Sequence, residues 1–212
     1  MVSERNRIIN IINFLESLDI KINLGKNKAR GNKGFFSSKA DFFRIDIAKG
    51  LSEKESLRVL VHEFAHFIHY KHDKTLKTLD FLLNPFTDEM LEELLQLTVD
   101  SIPKETIKPL FNTKEALINE INELERKNFN IITNLELKTK LKLLNRINAR
   151  ISKINRYYNS PTELFARSME VFMLDNKAFK LKAPILYTIY SDFISNKKDS
   201  VLTDFFNICH NN

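Results

Sequence analysis

The chain has a single cysteine, Cys209, so no internal disulfide can form, and this suits a reducing compartment. Only four glycines and five prolines occur among 212 residues, which argues against an all-β architecture rich in turns. No apolar run is long enough to cross a bilayer. The apolar residues near the start are interrupted by Asn10, Asn13 and Glu16, unlike those of an export signal. We therefore expect a cytoplasmic protein without a membrane partner, with export by a leaderless route as the alternative.

The remaining composition is that of an ordinary folded chain with an excess of basic residues. Hydrophobic residues make up 43% and charged residues 28%, as in soluble globular proteins. The length fits one domain over residues 1–212. The net charge of +6 and the pI near 9.3 allow contact with anionic partners. Enrichment in lysine and asparagine would give the same balance without any such partner, and composition does not define the oligomeric state.

The first part of the chain predicts a helix, a small sheet and a second helix. Apolar spacing indicates a helix over residues 4–18. Three short segments then read as strands, the last with clear alternation: residues 20–24, 35–36 and 42–48. We expect a small antiparallel sheet, with a basic, glycine-marked turn at residues 25–34 that either lies in solvent or grips phosphate. Ser52 and Glu55 form a capping box, which starts the next helix.

An H-E-x-x-H pattern lies in the middle of that second helix. His62 and His66 are one turn apart on one face, so both rings can bind one metal ion. Zinc lowers the pKa of a bound water, and Glu63 can take the proton of that water, which is the chemistry of metal-assisted peptide hydrolysis. The alternative is a buried Glu63 paired with two core histidines, an arrangement that is costly without a metal.

A third ligand is needed, and the residues leave two candidates. His72 has the spacing of H-E-x-x-H-x-x-G-x-x-H, but His69 stands where that motif has a glycine that turns the chain. The helix should then continue, with His72 pointing away from His66. Glu163 lies in Ser160-Pro161-Thr162-Glu163, where it could equally close a capping box. His69 could support a ligand, contact substrate, or be a plain core or surface histidine.

The stretch between the two motifs predicts further helices. Thr87 caps an acidic helix, and Pro103 and Pro109 then mark a connector. A capping box at residues 112–115 opens an acidic helix, and a long helix with a basic stripe runs to about residue 156. That stripe consists of Lys138, Lys142, Arg146, Arg150 and Lys153. We expect an antiparallel helical hairpin over residues 113–156 with its charges paired. Binding of nucleic acid by the basic stripe is the alternative.

The two motifs together resemble a known family. The motif at residues 61–66 is followed by Tyr157-Tyr158-Asn159-Ser160-Pro161-Thr162-Glu163-Leu164-Phe165-Ala166-Arg167-Ser168-Met169-Glu170. This pair resembles the small glutamate-zincins, or gluzincins, of phages and other mobile elements. It is more distantly similar to the catalytic domain of anthrax lethal factor and its relatives. The resemblance covers the two motifs alone.

The resemblance implies a set of site residues. Glu163 matches the third zinc ligand of the family, beside His62 and His66. A tyrosine shortly before that glutamate commonly stabilises the oxyanion, which implies Tyr157, with Tyr158 as the alternative. Two other residues of the second motif have less definite roles: Arg167 fits the mobile-element pattern but replaces an acidic residue of lethal factor, and Glu170 could support a ligand or act as a poorer one.

The family also implies a fold and an activity. We expect an α+β, mostly helical, zincin-like domain, with a small antiparallel sheet packed on the active-site helix and the helical hairpin inserted before the Glu163 helix. An edge strand holds the extended substrate in zincins, which implies residues 42–48 here. The expected function is a zinc-dependent endopeptidase, with Zn²⁺ as cofactor and a protein or peptide as substrate. Two alternatives are a mobile-element binding or structural protein in which catalysis is dispensable, and a basic nucleic-acid-binding protein.

Overall fold

The structure is a computed structural model that describes residues 4–26, 33–39, 42–99, 104–126 and 131–210. The chain divides into two units, one formed by residues 1–99 and 160–212 and the other by residues 100–159. The fold is mostly helical with one small sheet, as the sequence predicts. A single domain with an inserted hairpin stays a prediction. Most of the predicted basic turn, at residues 27–32, lies outside the described residues.

The first unit begins with helix α1 (Glu4–Ser17) and contains the three strands β1 (Ile20–Lys26), β2 (Gly34–Lys39) and β3 (Phe42–Ala48). Its remaining helices are α2 (Glu53–His72), α3 (Asp88–Val99), α6 (Pro161–Leu174), α7 (Asn176–Lys182), α8 (Pro184–Ser195) and α9 (Ser200–His210). The second unit contains α4 (Lys104–Arg126) and α5 (Ile131–Tyr158). No helix in the described ranges has both the length and the apolar character needed to cross a membrane.

The sheet is mixed, so the prediction of an antiparallel sheet was wrong. Strand β3 lies in the middle: it pairs in parallel with β1, starting with Ile20 opposite Phe43, and antiparallel with β2. Strand β1 thus lies on the far side of β3 instead of pairing with β2. Alternating side chains specify a strand but not its neighbours, because pairing is decided by contacts between distant segments. The sequence pattern therefore could not give this order.

The central position of β3 also overturns the prediction that residues 42–48 form a substrate-holding edge strand. Both sides of β3 are occupied, by β1 and by β2, within the described ranges. Its backbone groups are thereby used within the sheet, and none are left for a further strand. Burial agrees with this position, because Ile45, Asp46 and Ile47 are all buried. The sheet edges are β1 and β2.

Helix α2 begins as its capping box predicts. The side chain of Ser52 accepts a hydrogen bond from the Glu55 N–H at 3.2 Å, and the Glu55 carboxylate accepts one from the Ser52 N–H at 3.2 Å. This prediction is confirmed. The apolar residues then recur every three or four positions and are all buried: Leu57, Leu60, Val61, Phe64, Ala65 and Ile68. They pack α2 between α1, the sheet and α6, and burying each large one stabilises the fold by roughly 1.5–3 kcal/mol.

The second unit is built on two helices that pack against each other. Leu117 of α4 packs with Ile147 and Ile151 of α5 in a small buried cluster. Helix α4 starts at Lys104 and runs through Pro109, so the predicted connector at Pro109 was wrong. A proline inside a helix removes one backbone hydrogen bond, and the helix continues through it, with Leu110 and Leu117 after the proline packed against α5.

Candidate metal centre

Helices α2 and α6 bring three of the sequence-predicted ligands together. His62 and His66 lie on α2, and Glu163 lies in the first turn of α6. The Nε2 atom of His62 is 3.6 Å from Glu163 Oε2, and that of His66 is 3.4 Å from Glu163 Oε1. One ligand atom from each residue lies within 4.8 Å of the other two. The group could therefore hold a metal ion.

The spacing and chemistry of this group suit a tetrahedral ion such as zinc. Zinc binds histidine nitrogen and carboxylate oxygen at about 2.0–2.2 Å, so neighbouring ligand atoms in a tetrahedron lie roughly 3.3–3.6 Å apart. The two nitrogen-to-oxygen separations of 3.4 and 3.6 Å are near that range but involve different oxygens of Glu163, and with one atom from each residue the ligand atoms lie within 4.8 Å of one another. The three side chains would therefore draw closer together around a tetrahedral ion. Two imidazoles and one carboxylate also leave a fourth position open, as catalytic zinc sites do.

The other ring nitrogen of each histidine faces a polar side chain. His66 Nδ1 lies 2.8 Å from the Thr162 hydroxyl oxygen, and His62 Nδ1 lies 3.5 Å from Glu170 Oε2. A histidine that binds a metal through Nε2 carries its proton on Nδ1 and donates it to such an acceptor. Thr162 and Glu170 therefore favour the tautomer and the ring orientation that turn both Nε2 atoms towards Glu163.

Glu170 is itself held by an arginine. Arg58 Nε donates to Glu170 Oε1 at 2.7 Å, and a second guanidinium nitrogen lies 2.6 Å from the same oxygen. Burial alone would raise the pKa of Glu170, but His62 and Arg58 outweigh it and hold that pKa below its usual value. Sequence reasoning missed Arg58 and Thr162. The available signals were that Arg58 precedes His62 by one helical turn and that Thr162 adjoins Glu163.

The start of α6 shows how Glu163 becomes available to the histidines. Ser160 stands at the cap and Pro161 at the first helical position, but the Ser160 side chain makes no capping hydrogen bond. The reciprocal pair of a capping box is therefore not formed, and the buried Glu163 carboxylate lies beside both imidazoles instead. Arg167, one turn further along α6, places a guanidinium nitrogen 3.3 Å from Glu163 Oε2.

Glu63 is buried beside the ligand group. Burial raises the pKa of Glu63, and the neighbouring His66 and His62 together with the Phe36 backbone N–H offset only part of that rise. For His62, burial alone would lower the pKa, but the carboxylates of Glu170, Glu63 and Glu163 outweigh it and raise that pKa. A carboxylate with a raised pKa is a better proton acceptor, so Glu63 suits the role of general base.

The two remaining histidines of α2 lie outside the ligand group. His72 Nε2 is 2.7 Å from Asp199 Oδ2, and its ring stacks on Phe81 at a centroid distance of 4.5 Å. His69 is fully buried, with Nε2 2.7 Å from the Thr78 carbonyl oxygen, and burial lowers the pKa of its ring. His69 is thus a core histidine, and His72 joins α2 to the start of α9.

The two tyrosine candidates end α5 in the second unit. Tyr157 is 51% exposed, and its ring meets that of Tyr158 edge to face with centroids 5.2 Å apart. The oxyanion role of Tyr157 stays a prediction.

In comparisons with known proteins, no family model, curated protein or solved structure matches this chain. The resemblance to gluzincins therefore rests on residues 61–66 and 157–170.

Proposed function

We propose that this protein is a zinc-dependent peptidase of the gluzincin type, with His62, His66 and Glu163 as the ligands. The observation that carries the proposal is that both Nε2 atoms face one buried carboxylate at 3.4 and 3.6 Å, with Glu63 next to them. A zinc ion held there would polarise a peptide carbonyl and lower the pKa of a water molecule.

In this proposal the side chains around the ligands transfer the proton and orient the two imidazoles. Glu63 accepts a proton from the attacking water and can return it to the leaving amine. The Thr162 hydroxyl and the Glu170 carboxylate orient the two imidazoles, and Arg58 holds Glu170 ionised. These contacts fix the reacting groups before substrate arrives, which is how a buried polar site lowers a reaction barrier.

In this proposal the substrate is held by strand β2 and not by β3, which the sequence predicted for that role. The Ala48 N–H donates to the Lys33 carbonyl at 2.8 Å, so in this antiparallel pair residues 33, 35 and 37 face β3 with their backbone groups. The backbone groups of Phe36 then point away from β3, and its N–H donates a hydrogen bond to the Glu63 carboxylate. An extended peptide added along the outer edge of β2 would pass directly beside the general base, and it would pair with the outward-facing backbone groups that remain there, since the Phe36 N–H is held by Glu63.

The test is cleavage of a peptide library by zinc-loaded protein, with new termini identified by mass spectrometry. We expect a defined set of cleaved bonds for the wild type. Glu63→Gln should keep the zinc but cut at a rate lower by on the order of 10³-fold, because general base catalysis is lost. Identical results for wild type and Glu63→Gln, both without cleavage, would contradict the proposal and favour a zincin-like binding or structural protein.

A further inference from the structure

Helix α5 carries the net charge of the whole chain. Between Ile131 and Tyr158 it has seven lysines and arginines and one acidic residue, Glu136, for a formal charge of +6. The complete chain has 33 basic and 27 acidic residues, so the rest of it contains 26 of each. The basic character of this protein is therefore a property of one helix.

The cations of α5 lie on the side opposite its buried face. Ile147 and Ile151 turn towards α4, whereas six basic side chains are exposed: Lys138, Lys142, Arg146, Arg150, Lys153 and Arg156. Positions 142, 146, 149, 153 and 156 alternate steps of four and three, so they form one line along the helix. Ala149 is the one uncharged residue on this line, which spans about 21 Å.

The charge of this face is not neutralised within the described ranges. The sequence predicts that the acidic residues of α4 pair with the cations of α5. Among the described residues of these two helices, the one ion pair between them joins Lys140 to Glu120. The six exposed cations have no ion pair or hydrogen bond among the described residues. Lys138, Lys142, Arg146 and Arg150 also follow one another at four-residue spacing, where like charges repel each other and destabilise a helix.

The chemistry of the line favours one class of partner. Helices that lie on membranes place large apolar side chains beside their cations, and proteins that bind single strands interleave aromatic rings for base stacking. On α5 the exposed Ile132 and Leu135 come before the first cation, Leu141 and Leu143 flank only Lys142, and the exposed Tyr157 follows the last cation. From Arg146 to Arg156 the line has no large apolar or aromatic side chain, and such a row of cations fits the phosphates of a duplex, which carry one charge per about 1.7 Å of axis.

We propose that the exposed face of α5 binds double-stranded nucleic acid through its phosphates, without reading sequence. If the six cations each contact one phosphate, the logarithm of the association constant falls with the logarithm of salt concentration with a slope of about −5. The contacts lie wholly in the second unit and do not involve the metal centre, so Glu63→Gln leaves this binding unchanged.

The test is fluorescence anisotropy of the full chain with a labelled 20-base-pair DNA duplex between 50 and 200 mM salt. Reversal of Arg146, Arg150 and Lys153 to glutamate should weaken binding on the order of 100-fold or more at the same salt. The matched control reverses Lys54, Lys177 and Lys198, which are exposed in the first unit, and should change affinity less than threefold. The triple variant Arg146→Gln, Arg150→Gln, Lys153→Gln should make the salt slope shallower by about 3 units, and it tests the same contacts with less strain on the helix.

Three results would overturn the proposal. The first is no duplex binding at 50 mM salt. The second is an equal loss of affinity in the α5 variant and the control variant, since binding would then follow total charge. The third is tighter binding to phosphatidylserine vesicles than to the duplex, which would make an anionic membrane surface the partner.

Discussion

Gly34 and Glu63 pack so closely that a Cβ atom at position 34 would lie 2.6 Å from Glu63 Oε1. The same atom would collide with Val59 Cγ1, so neither neighbour leaves room for a side chain. Strand β2 can lie against α2 at this point because residue 34 is glycine. The backbone of β2 and the carboxylate of Glu63 thus fix each other's positions.

Substitution Gly34→Ala should therefore displace Glu63 without removing any ligand. We expect normal zinc content and a cleavage rate lower by on the order of 100-fold, because a shift of about 1 Å in a catalytic group has that effect. Ser38→Ala on the same strand is the control and should cut at the wild-type rate. Wild-type cleavage by Gly34→Ala would show that the approach of β2 does not position the general base.

Glu170 should contribute to metal affinity although it is not a ligand. Glu170→Gln removes the charge that Arg58 holds and that faces His62 Nδ1. We expect zinc affinity, measured by competition with a chelator, to fall 10–100-fold, as is typical when the partner of a ligating histidine is changed. Arg58→Ala should act in the same direction. The control is Glu120→Gln, which changes an exposed carboxylate of the second unit and should leave the zinc affinity unchanged. If Glu170→Gln and Arg58→Ala bind zinc as tightly as this control, Glu170 does not support the metal centre.

Thr162 should support His66 through its hydroxyl oxygen. Thr162→Val keeps the shape of the side chain but removes the acceptor that lies 2.8 Å from His66 Nδ1. Zinc affinity should fall about 10-fold. Thr162→Ser keeps the hydroxyl and should restore most of the affinity. Loss in both variants would instead indicate a packing role for the methyl group.

Local patterns in the sequence were sufficient for the elements that carry the centre. The capping box at Ser52 and the spacing of apolar residues define α2, and the spacing of His62 and His66 places both rings on one helical face. These features depend on residues within a few positions of one another, which is why periodicity can reveal them. The position of Glu163 beside them depends on how α6 packs along α2. The residues left His72 and Glu163 as candidates for the third ligand, and only the resemblance favoured Glu163.

Features that depend on distant contacts were missed or wrong. The insertion of β3 between β1 and β2 depends on pairing between distant segments, and the pattern within each segment does not specify its neighbours. Arg58 could not be connected to Glu170, because that contact joins two helices more than a hundred residues apart. The proline at position 109 predicts a connector, but α4 continues through it, and packing of α4 on α5 outweighs the loss of one backbone hydrogen bond.

Asp199 should make the stability of the first unit depend on pH. Burial raises the pKa of Asp199, but the Leu202 N–H, Lys71 and His72 outweigh it and hold that pKa below its usual value. A folded-state pKa below the unfolded one gives stability that is present above the unfolded pKa, near 4, and is lost as pH falls through the folded pKa. Asp199→Asn should therefore lower the free energy of unfolding at pH 7 by about 2 kcal/mol, and the difference from wild type should shrink below pH 4.

Urea unfolding at pH 7, 5 and 3 checks this prediction. Asp175→Asn is the matched control, because Asp175 caps α7 through the Ala178 N–H but is exposed, and it should show a smaller difference. A gap between wild type and Asp199→Asn that stays constant from pH 7 to pH 3 would show that the charge of Asp199 does not stabilise the fold.

The most direct test of the metal centre is the zinc content of purified protein by atomic emission, after saturation with zinc and removal of the free ion. The wild type and Glu63→Gln should each hold about one zinc ion per chain, since neither lacks a ligand. Glu163→Ala and His62→Ala should retain zinc only at background level. Wild-type protein without zinc, or Glu163→Ala with full zinc content, would contradict the assignment of His62, His66 and Glu163 as the ligands.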